Sequence, residues 1–97
     1  MAYAVVALWT AKEGAEDEIQ GLLLEIASAS RAEPGCRLYR LHRARETPRS
    51  FLIYEMYDDQ AAFEAHVASE HFVRLVLGRA IPRLEQRERS FYDSFGD

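Results

Sequence analysis

The chain has a single cysteine, Cys36, among 97 residues. A lone thiol excludes an intrachain disulfide and suits a reducing compartment, so a cytoplasmic protein is expected. No run of about 18 apolar residues is present to span a membrane. No basic stretch followed by an apolar block opens the chain, so no secretion signal is expected. Basic charge is also short, with 12 Lys and Arg against 16 Asp and Glu, a net charge of −4. That balance lacks the basic face that grips a phosphate backbone, and nucleic acid is not an expected partner. There is no Gly-rich phosphate loop, so neither a flavin nor a nicotinamide site is supported. No Cys–His spacing suggests zinc, and His66 and His71, five residues apart, do not share a helix face, so no metal is expected. Repeats and low-complexity segments are absent. What is abundant is apolar content, 48% of the chain, enough for one small globular domain spanning residues 1–97.

Along the chain, Tyr3 to Thr10 is rich in Val and aromatics and predicts a strand. A helix is expected from Ala15, with Ile19, Leu22, Leu23, Ile26 and Ala27 forming one apolar stripe and Glu16, Asp17 and Glu18 in its first turn. Glu33-Pro34-Gly35 turns the chain into a second strand, Cys36 to Arg45. After the turn Glu46-Thr47-Pro48-Arg49, Ser50 to Tyr57 has the strongest β character. Asp58 or Asp59 caps a helix reaching about Ala68. Ser69 caps a further helical piece carrying Phe72, Leu75, Val76 and Arg79, with Gly78 as its expected end. A last strand lies near Glu88 to Asp93, and Ser94 to Asp97 is expected to be a loose tail. The order strand, helix, strand, strand, helix, strand predicts an α+β, ferredoxin-like βαββαβ sandwich: an antiparallel four-stranded sheet with both helices on one face. RNA-recognition domains share this order, but the basic, glycine-containing RNA motif is missing.

The strands do not alternate apolar and polar residues as a sheet with one wet face does. Tyr3, Val5, Ala7 and Trp9 lie on one face of the first strand, and Ala4, Val6, Leu8 and Thr10 on the other. In the third, Phe51, Ile53 and Tyr57 oppose Leu52, Tyr54 and Met56. Two helices cover one face only, and the other is too apolar to be left in water. A homodimer joined face to face is the expected remedy. The five arginines of the second strand and its turn, Arg37, Arg40, Arg43, Arg45 and Arg49, read as a solvated edge that resists aggregation.

Chemistry concentrates at Glu55, Tyr57 and His66. His66 shares the buried face of its helix with Phe63 and Val67. As a base it takes a proton from an acidic phenol or enol; as a structural residue it is satisfied by a carbonyl or by Glu55. Tyr57 either stabilises negative charge on a substrate oxygen or packs as an aromatic. Glu55 either orients His66 or pairs with an arginine such as Arg79. His71 reads as a half-exposed residue at the helix junction or, as a functional residue, as part of the substrate pocket. Trp9, Tyr39, Ile53, Phe63, Phe72 and Val76 are core residues that also suit the apolar wall of a small-molecule pocket.

The segments Glu33-Pro34-Gly35-Cys36 with Tyr39, Glu55-Met56-Tyr57-Asp58 with Ala61, His66, and Ser69-Glu70-His71-Phe72 resemble the antibiotic biosynthesis monooxygenase family of dimeric α/β barrels, over nearly the whole chain. The resemblance implies an oxidoreductase, a cofactor-independent monooxygenase binding a small aromatic or polyketide-like substrate between sheet and helices. His66 would be the base, Tyr57 the anion stabiliser and dioxygen the co-substrate. The family often has Trp at the position of Tyr57, and its polyketide-oxidising members have an amide at Ile53 and Tyr at Phe63. Haem-degrading relatives carry a haem-ligating His where this chain has Val76, so haem is not implied. Two other activities suit the same pocket: an enolate isomerase or cyclase, and a binding protein without chemistry.

Overall fold

A computed structural model describes residues 1–96. The elements are β1 (Tyr3–Ala11), α1 (Glu16–Arg31), β2 (Cys36–Arg43), β3 (Ser50–Tyr57), α2 (Gln60–Ala68), a π-helical segment (Phe72–Ala80), a single 3₁₀ turn (Ile81–Arg83) and β4 (Leu84–Asp93). The strands form one sheet in the order β2-β3-β1-β4, and every neighbouring pair is antiparallel. This is the ferredoxin-like βαββαβ arrangement expected from the order of elements.

Local chemistry accounts for the ends of the helices. Gly14 takes a positive φ of 87° in the turn before α1, a conformation glycine adopts without a Cβ clash. Its N–H donates to Glu16 Oε1 at 2.9 Å. At the other end, the Arg31 guanidinium donates to the Tyr39 carbonyl at 2.6 Å and ties α1 to β2. Asp59 caps α2, its side chain accepting from the Ala62 N–H at 2.9 Å. Ser69 breaks the helix with extended backbone (ψ 154°), and its hydroxyl accepts from the Phe72 N–H at 3.2 Å, as an N-cap does. The piece that follows does not end at Gly78. It continues to Ala80 in the wider π form, whose bonds run from i to i+5.

The stripe Ile19, Leu22, Leu23, Ile26 and Ala27 is buried against Ala7, Trp9, Tyr39, Phe51 and Ile53 of the sheet and Phe72, Leu75 and Val76 of the π segment. Each large side chain so buried contributes about 1.5–3 kcal/mol relative to leaving it in water. The inner face of β3 reads Phe51, Ile53, Glu55 and Tyr57, all buried, while Leu52, Tyr54 and Met56 on the outer face are half-buried. The last strand starts four residues earlier than its sequence suggests, at Leu84. The tail is anchored at Ser94, whose N–H donates to the Ala2 carbonyl at 2.9 Å; Asp97 lies outside the described residues. No helix of the described residues is long and apolar enough to cross a membrane.

Candidate functional site

The turn after α1 approaches α2 closely at Gly35. A Cβ placed there would lie 2.5 Å from the Cβ of Ala62, so only glycine permits this approach without displacement. The Asp58 N–H donates to the Gly35 carbonyl at 2.9 Å and fixes the turn beside the end of β3. Glu33, two residues before Gly35, is thereby carried to His66.

His66 is 1% exposed and is the one buried residue of α2. Its Nδ1 lies 2.8 Å from Glu33 Oε2, and the same oxygen lies 2.5 Å from His71 Nε2. A carboxylate oxygen accepts, so each ring presents an N–H to it. This tautomer leaves His66 Nε2 as a bare acceptor, 3.8 Å from Glu55 Oε1. Burial lowers the His66 pKa below the ordinary imidazole value, against the upward pull of Glu33, and so favours the neutral ring that can take a proton.

Glu55 lies opposite Val5 and Tyr39 in the sheet. Desolvation raises its pKa to about 7, although the Tyr57 hydroxyl and the charge of Arg89 oppose the rise. Tyr57 donates to Glu55 Oε1 at 2.7 Å. Burial, then the Glu55 charge, hold the phenol well above its ordinary value. Glu55 is paired with Tyr57, not with Arg79, and the residue that orients His66 is Glu33.

The cavity at this cluster is lined by Ala7, Trp9, Tyr39, Glu55, Phe63, His66, Phe72, Val76, Arg87 and Arg89. Of the residues expected from sequence, Trp9, Tyr39, Glu55, Phe63, His66, Phe72 and Val76 are therefore brought together. Tyr57, Ile53 and His71 are not among the lining residues. Tyr57 sits behind Glu55 with its hydroxyl committed, Ile53 is core, and His71 joins the site from the far side through Glu33. The volume is about 10 Å³, room for about one water, so the open pocket implied by the resemblance is closed here by side chains.

Three residues of the site escape a reading by spacing. Glu33 belongs to a turn and is 33 positions from His66. Arg87 and Arg89 lie on a strand of polar composition; only the register, Trp9 with Arg87 and Ala7 with Arg89, shows that they share the inner face. The five-residue interval between His66 and His71 also misleads. The break at Ser69 redirects the chain, and the two rings meet with centroids 6.1 Å apart. Glu33, His66 and His71 bring ligating atoms within 4.8 Å of one another, two imidazoles and a carboxylate of the kind that divalent transition metals accept. In this structure the same atoms are engaged with one another as hydrogen bonds.

The sequence profile named "Antibiotic biosynthesis monooxygenase" matches residues 2–76. No functionally curated protein matches the chain. Among solved structures, one described as an antibiotic biosynthesis monooxygenase is 32% identical, with a TM-score of 0.87 and coverage of 97% of this chain and 99% of that one. A Pseudomonas aeruginosa protein is 29% identical, with a TM-score of 0.89 over 98% of this chain and 95% of that one. A Mycobacterium tuberculosis protein, 21% identical, shares the fold with a TM-score of 0.91 over 100% and 98% of the two chains. The match of the family's profile over most of the sequence, together with a solved structure 32% identical along nearly its whole length, shows that this chain belongs to the antibiotic biosynthesis monooxygenase family.

Proposed function

We propose that the protein is a cofactor-independent monooxygenase for a small aromatic or polyketide-like substrate, working as a homodimer. The observation that carries this reading is the 2.8 Å contact of His66 Nδ1 with Glu33 Oε2: a carboxylate accepts, which assigns the ring proton to Nδ1 and leaves Nε2, facing Glu55, as the base. An acidic C–H or O–H of the substrate gives its proton to Nε2. The carbanion or enolate left behind is electron-rich enough to reduce dioxygen directly. A carbon–oxygen bond forms, and the peroxide loses water to leave a ketone: R₂CH₂ + O₂ → R₂C=O + H₂O. The substrate supplies all four electrons, so no external reductant enters the balance. Glu55, with a pKa raised to about 7, is poised to return a proton to the departing hydroxide.

The test is oxygen uptake with anthrone, corrected for its spontaneous oxidation. His66→Ala is expected to reduce the rate by about 10²-fold or more, the usual contribution of a positioned base. Equal rates for wild type and His66→Ala would remove the proposed mechanism. The closeness of an accepting Nε2 and a near-neutral carboxyl also suits a proton shuttle across an enolate, which supports an isomerase as the second reading. Turnover that continues under argon would select it.

A further inference from the structure

Arg87 and Arg89 form the outer wall of the cavity, and neither guanidinium has a hydrogen-bond or ion-pair partner among the described residues. Six of the nine other arginines do: Arg31, Arg37, Arg43, Arg49, Arg74 and Arg83 each donate to a carbonyl, amide or carboxylate, while Arg40, Arg45 and Arg79, also without such a partner, do not line the cavity. Arg87 Nε is buried and unbonded, one of two such side-chain atoms among the described residues. Burial, then the neighbouring charge of Arg89, lower the Arg87 pKa from its ordinary value. Arg89 stands 6.0 Å from the Phe63 ring centroid and 5.8 Å from that of Phe91. The charges of both act on Glu55, which lines the same cavity and whose pKa near 7 leaves its charge only partly available. A protein of net charge −4 thus keeps two guanidiniums without a hydrogen-bonding acceptor against one small cavity. A guanidinium with a buried N–H and no acceptor for it, as at Arg87 Nε, is costly. Its planar fork matches the two oxygens of a carboxylate.

We infer that this wall is an anion subsite and that the ligand of the cavity is a planar aromatic carboxylate, its two oxygens taken by Arg87 and Arg89 and its ring set among Trp9, Tyr39 and Phe63. The inference deepens the proposed function, on whose His66 centre it rests for any chemistry that follows binding. Entry requires the guanidiniums to swing outward, because the closed cavity holds about 10 Å³. The wall is built for that movement. β4 is an edge strand, and from Glu85 onward only Arg87 is even half-buried. Release from the aromatic faces and capture of the carboxylate are then one motion.

The experiment is calorimetric titration with 1-naphthoate and with 1-naphthamide, which has the same shape and no charge. Chemical shifts of the Trp9 indole and Arg87 Nε–H report the location. The acid is expected to bind at least about tenfold more tightly, the size of one charge-assisted hydrogen bond. Arg87→Met and Arg89→Met should each abolish the preference, whereas His66→Ala should retain it while losing oxygen uptake. Arg89 is exposed, so its variant serves even if Arg87→Met does not fold. Equal affinity for acid and amide, no binding of either, or a preference that survives Arg89→Met would overturn the subsite. None of these results touches the oxygen-uptake test of His66, so the two readings fail separately.

Discussion

A glutamate that is 5% exposed, with one phenol as its hydrogen-bond partner, keeps its proton to about 7 instead of the ordinary 4.5. Between those values the unfolded chain has released the Glu55 proton and the folded chain has not. Folding takes up a proton there, so this group's contribution to stability falls as pH rises from 4.5 through about 7. The full difference is about 3 kcal/mol. His66 acts in the opposite sense: its pKa is lowered from 6.5, so its contribution is complete above 6.5 and is lost as pH falls below. Glu55→Gln keeps an acceptor for Tyr57 and removes the first dependence. It is expected to be stabilised relative to wild type by about 2–3 kcal/mol more at pH 8 than at pH 5, measured by urea denaturation. An identical pH dependence in the two proteins would place Glu55 outside the pH-dependent balance. Much of this cluster is legible in sequence, because Glu55 and Tyr57 are two apart on a strand and His66 shares a helix face with Phe63. Glu33, Arg87 and Arg89 are not legible: a glutamate before Pro-Gly reads as a turn residue, and arginines on a polar strand read as solvated. The topology makes them part of the site, and no local pattern announces it.

The turn Glu33-Pro34-Gly35 is the element that sets the His66 tautomer, and its position depends on the absence of a side chain at Gly35. Gly35→Ala drives a methyl to 2.5 Å from Ala62 Cβ, and either the turn or α2 must shift. The expected cost is about 1–3 kcal/mol, as for other overpacked contacts, with a longer Glu33–His66 contact and a changed His66 imidazole ¹⁵N shift. Adding Ala62→Gly should recover most of the loss. A Gly35→Ala protein as stable as wild type would show that the contact yields freely. The cap of α2 offers a separate test: Asp59→Ala removes the acceptor of the Ala62 N–H and should cost about 1 kcal/mol. Most elements are legible from the period of their apolar residues: β1, α1, β3 and α2 start and stop within about two residues of their sequence signals. The segment after Ser69 is legible as helical but not as π, because apolar spacing of three and four does not separate the two forms and Gly78 reads as a stop. β4 is half hidden because Leu84 to Arg87 carries three polar residues in four.

At the scale of the molecule, period-two alternation assigns the two faces of the sheet to different tasks. The inner face holds the core and the His66 cavity. The outer face carries the cross-strand pairs Ala4 with Met56, Val6 with Tyr54 and Leu8 with Leu52 at its centre, flanked by Arg40 and His42 on β2 and by Glu88 and Ser90 on β4. Leu8 is 44% exposed, and a groove of about 410 Å³ runs beside it, lined by Phe51 and Leu52. An apolar centre within a polar rim is the anatomy of an interface. A stable dimer buries about 800 Å² per partner, roughly one-seventh of the 5877 Å² that this chain exposes, and a sheet face of four strands can supply it. Sedimentation at about 10 µM is therefore expected to show a homodimer. Leu8→Arg places a charged side chain at the centre of this apolar patch in each subunit, and should yield monomers that unfold at lower temperature, since association no longer stabilises the fold. Because Leu8 and the cavity lie on opposite faces, the Arg87 and His66 resonances of that monomer should keep their native shifts. A wild-type chain that sediments as a monomer would show that the outer face is tolerated in water, and a Leu8→Arg dimer would show that the subunits meet elsewhere.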